Sequence, residues 1–131
     1  MKICLVYNKE NMKYDELTKN IVAFFENKNK ELQSNIITSD IKNGDVKICK
    51  KKYDIYVFLS DSIAELKGYY EKIGYPTRTA LITENTTAEF ISESTNIVKD
   101  IIYSRSEIDS ICSRLICAYS KYITEDMMAS V

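Results

Sequence analysis

Short apolar runs rich in β-branched and aromatic residues alternate along the chain with segments of helical period. The run from Ile55 to Leu59 is apolar throughout, which is typical of a strand buried on both faces of a sheet. The alternation predicts an α/β domain whose parallel sheet is covered by helices on both faces. The predicted strands are Lys2 to Tyr7, Gln33 to Thr38, Ile55 to Leu59, Thr79 to Thr83 and, more weakly, Ile97 to Tyr103.

The segments between these strands have the spacing of helices that pack on a sheet. From about Tyr14 to Lys28, apolar residues recur at steps of three and four. Two further helices are predicted to begin at capping boxes, Ser62-x-x-Glu65 and Thr86-x-x-Glu89. The last helix is expected from about Ser106 to Ile123 because its apolar residues share one face.

These elements predict one domain. The chain has 131 residues, which suits a single hydrophobic core. Residues 1–123 are assigned to this domain, while 124–131 are expected to be a frayed tail or the start of a linker. A weak helical piece is expected to end near Lys52. Five strands with alternating helices favour the flavodoxin-like doubly wound order 2-1-3-4-5, in which working residues lie in loops at the carboxyl ends of the strands.

Composition narrows the setting in which the protein works. The 18 Lys and Arg residues and 19 Asp and Glu residues are interspersed, so no basic surface for nucleic acid is expected. No stretch approaches the roughly 20 apolar residues of a membrane span. The four cysteines form no CxxC pair, and no secretion signal precedes the first strand. We therefore expect a cytoplasmic protein with no nucleic-acid or membrane partner.

The loops after the predicted strands lack the usual features of cofactor sites. Flavin mononucleotide needs a loop rich in Ser, Thr and Gly after the first strand, whereas residues 8–13 are Asn-Lys-Glu-Asn-Met-Lys. Glycine patterns for dinucleotides or a P-loop do not occur, and the chain contains no histidine. Cys4 lies too early for the nucleophile of a cysteine phosphatase. The sequence predicts no cofactor, no metal and no catalytic residue, although enzymatic activity stays open.

The second half resembles the receiver domains of two-component response regulators. Leu81-Ile82-Thr83 is similar to the end of a receiver's fourth strand, which carries Thr or Ser. The segment from Asp100 to Ile111 is similar to the fifth strand and the helix that follows, with Arg105 in place of the family's lysine. Arginine keeps the positive charge of lysine, but its guanidinium group is planar and carries several N–H donors. The resemblance implies a CheY-like fold and a role in signalling.

The first half departs from the receiver pattern at its chemical positions. A receiver carries an acidic pair after its first strand to hold magnesium, whereas this chain has Tyr7 and Asn8. Leu59 stands where the resemblance places the phosphoacceptor aspartate, and Asp61 follows two residues later. Asp61 could cap the next helix or accept a phosphoryl group. The resemblance therefore implies a degenerate pseudo-receiver, similar to the atypical receiver domains of pilus-assembly and localisation ATPases.

Two functions are compatible with this resemblance. The first is a non-catalytic interaction module that dimerises or docks a protein partner through the last strand and its flanking helices. Its candidate interface residues, which could equally finish the core, are Phe90, Tyr103, Tyr119 and Tyr122. The alternative is a small-ligand-binding or enzyme domain that takes a nucleotide, a flavin or a phosphorylated ligand in the crevice at the strand ends. Its candidate contacts are Asn8, Asp61, Thr83 and Arg105.

Overall fold

A parallel sheet organises the computed structural model, which describes residues 2–32, 35–40 and 53–129. Within these ranges the strands pair in the order β2-β1-β3-β4-β5, and every pair is parallel. The strands are β1 Lys2–Tyr7, β2 Asn35–Asp40, β3 Ile55–Leu59, β4 Thr79–Thr83 and β5 Asp100–Tyr103. The helices are α1 Met12–Leu32, α2 Ile63–Ile73, α3 Ala88–Ser94 and α4 Ile108–Ala129. The predicted α/β class with a parallel sheet is confirmed.

Helices cover both faces of the sheet. On one face α1 and α4 pack against β1, β3 and β4, while α2 and α3 pack on the other face. Within β1, Ile3 and Leu5 belong to the first core and Cys4 and Val6 to the second, because successive strand side chains point to opposite faces. Every residue of β3 and β4 is buried. Burying one large aliphatic or aromatic side chain stabilises the fold by roughly 1.5–3 kcal/mol.

The N-cap predicted for α2 is formed, but Ser60 replaces the second bond of the capping box, since the Ser62 N–H donates to Ser60 Oγ at 3.2 Å and the Ser60 hydroxyl donates to Glu65 at 2.6 Å. Ser62 is the N-cap, and its Oγ accepts a hydrogen bond from the backbone N–H of Glu65 at 3.3 Å. Gly74 ends the helix with a φ of 92°, a left-handed conformation that glycine adopts without a Cβ clash. The local sequence is therefore sufficient to determine where this helix begins and ends.

The capping box predicted at Thr86 is wrong. The N-cap of α3 is Thr87, whose side chain makes no capping hydrogen bond. Asn85 organises this loop instead, because its Oδ1 accepts from the backbone N–H of Thr87 at 3.1 Å and from the Thr87 hydroxyl at 2.9 Å. Such an Asx turn competes with a capping box for the same backbone.

The helix α4 continues to Ala129 instead of fraying after Ile123. The Thr124 hydroxyl donates to the Ser120 carbonyl at 2.9 Å, and a salt bridge joins Asp126 to Arg78 before β4. The hydrogen bond lies within α4, and the salt bridge connects its last turns to the amino-terminal edge of the sheet. Residues 130 and 131 lie outside the described part of the chain.

Three other boundaries differ from their predicted positions. The helix α1 spans Met12–Leu32, and β2 lies two residues later than expected, at Asn35–Asp40. The strand β5 is shorter than expected because the backbone N–H groups of Ile97 and Val98 both bond the Ser94 carbonyl, closing a turn after α3. The helical piece predicted to end near Lys52 lies outside the described residues. In the described ranges, every helix is too short or too polar to span a bilayer.

Candidate functional site

The loops that follow the strands meet at one edge of the sheet. Since all strand pairs are parallel, the segments after β1, β3, β4 and β5 emerge on the same side. The first turn of α1 also reaches this edge, where it brings Lys13 and Tyr14 into contact with Asp61 after β3. We call the cluster of Lys13, Tyr14, Asp61, Thr83, Glu84 and Arg105 the strand-end site.

The carboxylate of Asp61 is the hub of the strand-end site. Its Oδ1 accepts hydrogen bonds from the Tyr14 hydroxyl at 2.5 Å, the Thr83 hydroxyl at 2.9 Å and the backbone N–H of Glu84 at 2.9 Å. Its Oδ2 accepts from the ammonium group of Lys13 at 2.7 Å. Oδ1 therefore accepts more hydrogen bonds than its two lone pairs would each take singly, whereas Oδ2 accepts one and keeps a second acceptor position open.

The surroundings of Asp61 keep Asp61, Tyr14 and Lys13 in the protonation states that these side chains usually have at neutral pH. Burial raises the pKa of Asp61. Hydrogen bonds from Lys13, Tyr14, Glu84 and Thr83 outweigh burial and lower that pKa to about 2. Burial and the hydrogen bond to Asp61 raise the pKa of the Tyr14 phenol to about 12. Burial acts to lower the pKa of Lys13, but its bonds to the two carboxylates of the site raise that pKa above its ordinary value. At neutral pH the site combines an ionised carboxylate, a neutral phenol and an ammonium group.

A second carboxylate, that of Glu84, lies between two cations. Its Oε1 accepts from Nε and Nη2 of Arg105, at 3.0 Å and 2.9 Å, and its Oε2 accepts from Nζ of Lys13. Hydrogen bonds from Lys13 and Arg105 hold the pKa of Glu84 below its ordinary value. Charges of alternating sign therefore run from Asp61 through Lys13 and Glu84 to Arg105.

The structure brings together most of the crevice residues predicted from the sequence. Asp61 and Thr83 are in direct contact, and Arg105 joins them through Glu84. Asn8 is not in this cluster, because its Oδ1 accepts from the backbone N–H of Glu10 at 3.0 Å and closes the turn after β1. Asp61 does not cap the helix after it, a role that belongs to Ser62.

Two residues of the strand-end site, Lys13 and Tyr14, were not predicted from the sequence, and a third, Glu84, had no role assigned to it. Tyr14 was assigned to the apolar stripe of the first helix, and its ring is indeed buried, but its hydroxyl reaches Asp61. Lys13 was placed in the polar loop before the first helix, and Glu84 was expected to line the crevice beside Thr83 but was given no contact of its own. Lys13 precedes Asp61 by 48 residues, and no motif in the sequence links the two. A signal for Glu84 is its place directly after Thr83 at the end of β4.

Two of the four predicted interface residues lie in the core. Phe90 is 6% exposed and Tyr122 is 1% exposed, and the Tyr122 hydroxyl donates to the Thr79 carbonyl at 2.8 Å. The prediction that Phe90 and Tyr122 face a partner is wrong, because each lies on the side of its helix that packs on the sheet. Tyr103 is 42% exposed and Tyr119 is half-buried.

An open cavity of about 370 Å³ adjoins the strand-end site. It lies between α1 and the loop after β5, and its wall includes Lys13, Glu16, Glu84, Ser104 and Arg105. Across residues 2–32, 35–40 and 53–129, no three Cys, Asp or Glu side chains are grouped so that they could hold a metal ion. The cavity wall thus presents two cations, Lys13 and Arg105, and two carboxylates, Glu16 and Glu84.

Solved structures of receiver domains superpose on most of this chain. A CheY-like response regulator receiver domain protein from Methanospirillum hungatei has a TM-score of 0.63 at 12% identity, covering 95% of this chain and 98% of that chain. The receiver domain of Francisella response regulator 1452 has a TM-score of 0.60 at 21% identity, covering 91% of this chain and 97% of that chain. The chain has the receiver fold.

A solved structure that is not named as a receiver domain is also similar to this chain. A protein named CpaE2 pilus assembly protein, from Sinorhizobium meliloti, has a TM-score of 0.62 at 12% identity, covering 90% of this chain and 99% of that chain. No protein-family model matches the sequence, and no curated protein matches it either. The receiver-like resemblance inferred from the second half of the sequence is confirmed at the level of fold.

Proposed function

We propose that this receiver-like domain is a protein-interaction module in signalling that works without accepting a phosphoryl group. The observation that supports this proposal is the engagement of Asp61. Three donors meet its Oδ1 and the Lys13 ammonium group pairs with its Oδ2, and a carboxylate whose electron pairs are held by such donors is a weaker nucleophile towards phosphorus. At the position where the resemblance places the phosphoacceptor, Leu59 is apolar and fully buried.

The position of Lys13 supports the same proposal. Its ammonium group contacts both Asp61, at 2.7 Å, and Glu84. A cation already neutralises these carboxylates, so a magnesium ion placed beside it would meet strong repulsion. Tyr7 and Asn8 supply no carboxylate at the end of β1. The strand-end site is therefore suited to an internal ion pair in place of a metal and a phosphoryl group.

We expect the purified domain to keep its mass when incubated with acetyl phosphate and magnesium chloride. Intact mass spectrometry checks this, with a phosphorylatable receiver domain treated in parallel as the positive control. Phosphorylation that maps to Asp61 and disappears in Asp61→Asn would contradict the proposal. Lys13→Ala is the informative second variant, because it frees Oδ2 of Asp61 while the donors on Oδ1 stay in place.

A surface around β5 is the proposed docking site for a partner. Tyr103 is exposed on this edge strand, where Ile101 is partly exposed, and Ile91 of α3 and Tyr119 of α4 are partly exposed beside it. Tyrosine suits a protein interface because it buries a large apolar area and keeps a polar tip. We call these four residues the β5 face and propose that it mediates dimerisation or docking.

We expect the domain to sediment as a dimer and Tyr103→Glu to weaken the dimer at least tenfold. A tenfold change corresponds to about 1.4 kcal/mol, which burying a carboxylate in an apolar contact readily exceeds. Tyr75→Glu is the matched control, since Tyr75 is 60% exposed and lies away from the β5 face in the turn after α2. A wild-type monomer at high concentration, unchanged by Tyr103→Glu and Tyr119→Glu, would contradict dimerisation.

Small-ligand binding in the crevice is a second candidate function. The observation that favours it is the cavity of about 370 Å³ beside Lys13 and Arg105. Ligand pockets of small molecules begin at about 300 Å³. A ligand here would meet two cations, the carboxylates of Glu16 and Glu84, and the polar side chain of Ser104.

A further inference from the structure

Three N–H donors of two cations converge on the Glu84 carboxylate. Arg105 contributes Nε and Nη2 to one oxygen, and Lys13 contributes Nζ to the other. Donors of this kind, arranged around a planar or tetrahedral anion, are the usual means by which proteins recognise carboxylates and phosphates. The chain therefore contains an anion-binding arrangement in which its own side chain is the anion.

The Glu84 side chain can leave without disturbing the loop that carries it. The loop is held by its backbone, because the N–H of Glu84 bonds both Asp61 Oδ1 and the Tyr14 hydroxyl, each at 2.9 Å. The Asn85 side chain adds a bond to the Asp61 carbonyl at 3.0 Å. The Glu84 side chain itself is 31% exposed, so a change of rotamer is enough to move its carboxylate into solvent.

The two cations have different supports after such a movement. Lys13 keeps its bond to Asp61 at 2.7 Å and stays 4.4 Å from the centre of the Tyr14 ring. The Arg105 side chain is 81% exposed and borders the same cavity as Lys13, together with Glu16, Asn20 and Ser104. An anion that replaces the Glu84 carboxylate would therefore meet one cation fixed by the site and one that adjusts to it.

We propose that Lys13 and Arg105 bind the oxyanion group of a small molecule, a phosphate or a carboxylate, and that Glu84 fills this site when no ligand is bound. The cavity of about 370 Å³ beside both cations accommodates the rest of such a molecule. This inference deepens the second candidate function. It stands independently of dimerisation through the β5 face and of any reaction at Asp61.

Titration with inorganic phosphate at constant ionic strength tests the proposal, followed by calorimetry or by NMR shifts. Constant ionic strength is needed because salt screens exposed charges. Removing the internal competitor in Glu84→Gln is expected to tighten phosphate binding at least tenfold relative to wild type. Adding Arg105→Gln to this variant is expected to abolish the gain. A parallel titration with acetate distinguishes a preference for carboxylates from one for phosphates.

The control variant is Glu93→Gln, which neutralises a partly exposed glutamate whose ion-pair partner at 3.9 Å is Lys67, a residue outside the strand-end site. It should leave phosphate affinity within twofold of wild type. Equal affinity in wild type and Glu84→Gln, with both proteins folded by circular dichroism, would overturn the proposal. So would a gain in Glu84→Gln that survives the loss of Arg105, or a matching gain in Glu93→Gln.

Discussion

Replacing Tyr14 with alanine is expected to lower the free energy of unfolding by about 3–5 kcal/mol, as found for buried aromatic rings. The ring is 1% exposed and packs in the core between the sheet, α1 and α4. Its hydroxyl also joins that core to the strand-end site, since it donates to Asp61 and accepts from the backbone N–H of Glu84. Urea denaturation followed by circular dichroism measures the change.

Tyr14→Phe separates the ring from the hydroxyl. This variant keeps the packing and loses only the two hydrogen bonds of the oxygen, so about 1–2 kcal/mol of destabilisation is expected. Asp61 retains its bonds to Lys13 and Thr83, which limits the loss. If Tyr14→Phe cost as much as Tyr14→Ala, the ring would contribute nothing by packing, contrary to its burial.

The free energy of unfolding is expected to fall steeply between about pH 9 and 12. Burial, with a contribution from Asp109, raises the pKa of Cys112 from 9.0 to about 12, and burial with the hydrogen bond to Asp61 raises that of Tyr14 from 10.0 to about 12. Burial and the hydrogen bond to Asp100 also raise the pKa of Tyr122. A raised folded-state pKa gives stability that is complete below the unfolded value and is lost as pH rises towards the folded value.

Acid is expected to destabilise the domain less than alkali. The pKa of Asp61 is lowered from 3.8 to about 2, so its contribution is complete above the unfolded value and is lost as pH falls from about 4 to 2. The Asp61 side chain is 34% exposed, and solvent screening reduces what its ion pair contributes. Glu84 has a lowered pKa as well but adds little because its ion pairs are at the surface.

Thermal and urea unfolding across the pH range tests both the alkaline and the acid loss of stability. Each titrating side chain changes the free energy of unfolding by at most about 1.4 kcal/mol per pH unit. Substituting one such side chain at a time therefore shows how much each contributes. Cys112→Ala and Tyr14→Phe are each expected to flatten the alkaline limb, whatever they cost at neutral pH. Stability that stays constant from about pH 9 to 12 in wild type would contradict the prediction.

The element pattern was largely predictable because it depends on neighbouring residues. The bounds of β1 and β4 agree with those predicted, and the caps of α2 were visible as Ser62 and Gly74. Elements whose limits depend on distant contacts were placed less well. The helix α4 extends past its predicted end, and its last turns carry a salt bridge from Asp126 to Arg78 that no local signal in the chain indicates.

The strand-end site was predictable only in part for the same reason. Thr83 and Asp61 were found because each follows a recognisable strand, and parallel strands bring such residues to one edge. Lys13 approaches from a helix whose stripe indicated packing alone. Periodicity likewise placed Tyr122 on a helix face without telling whether that face meets the sheet or a partner.

The amino-acid sequence by itself determined the alternating strands and helices, the parallel sheet and the receiver-like character of the second half, because hydrophobic period and capping act over a few residues. Tertiary structure alone decided that Lys13 and Tyr14 meet the carboxylate of Asp61, and that Glu84 lies between two cations. Those contacts join residues far apart in the chain, and their strength depends on burial and charge that exist only after the sheet has formed.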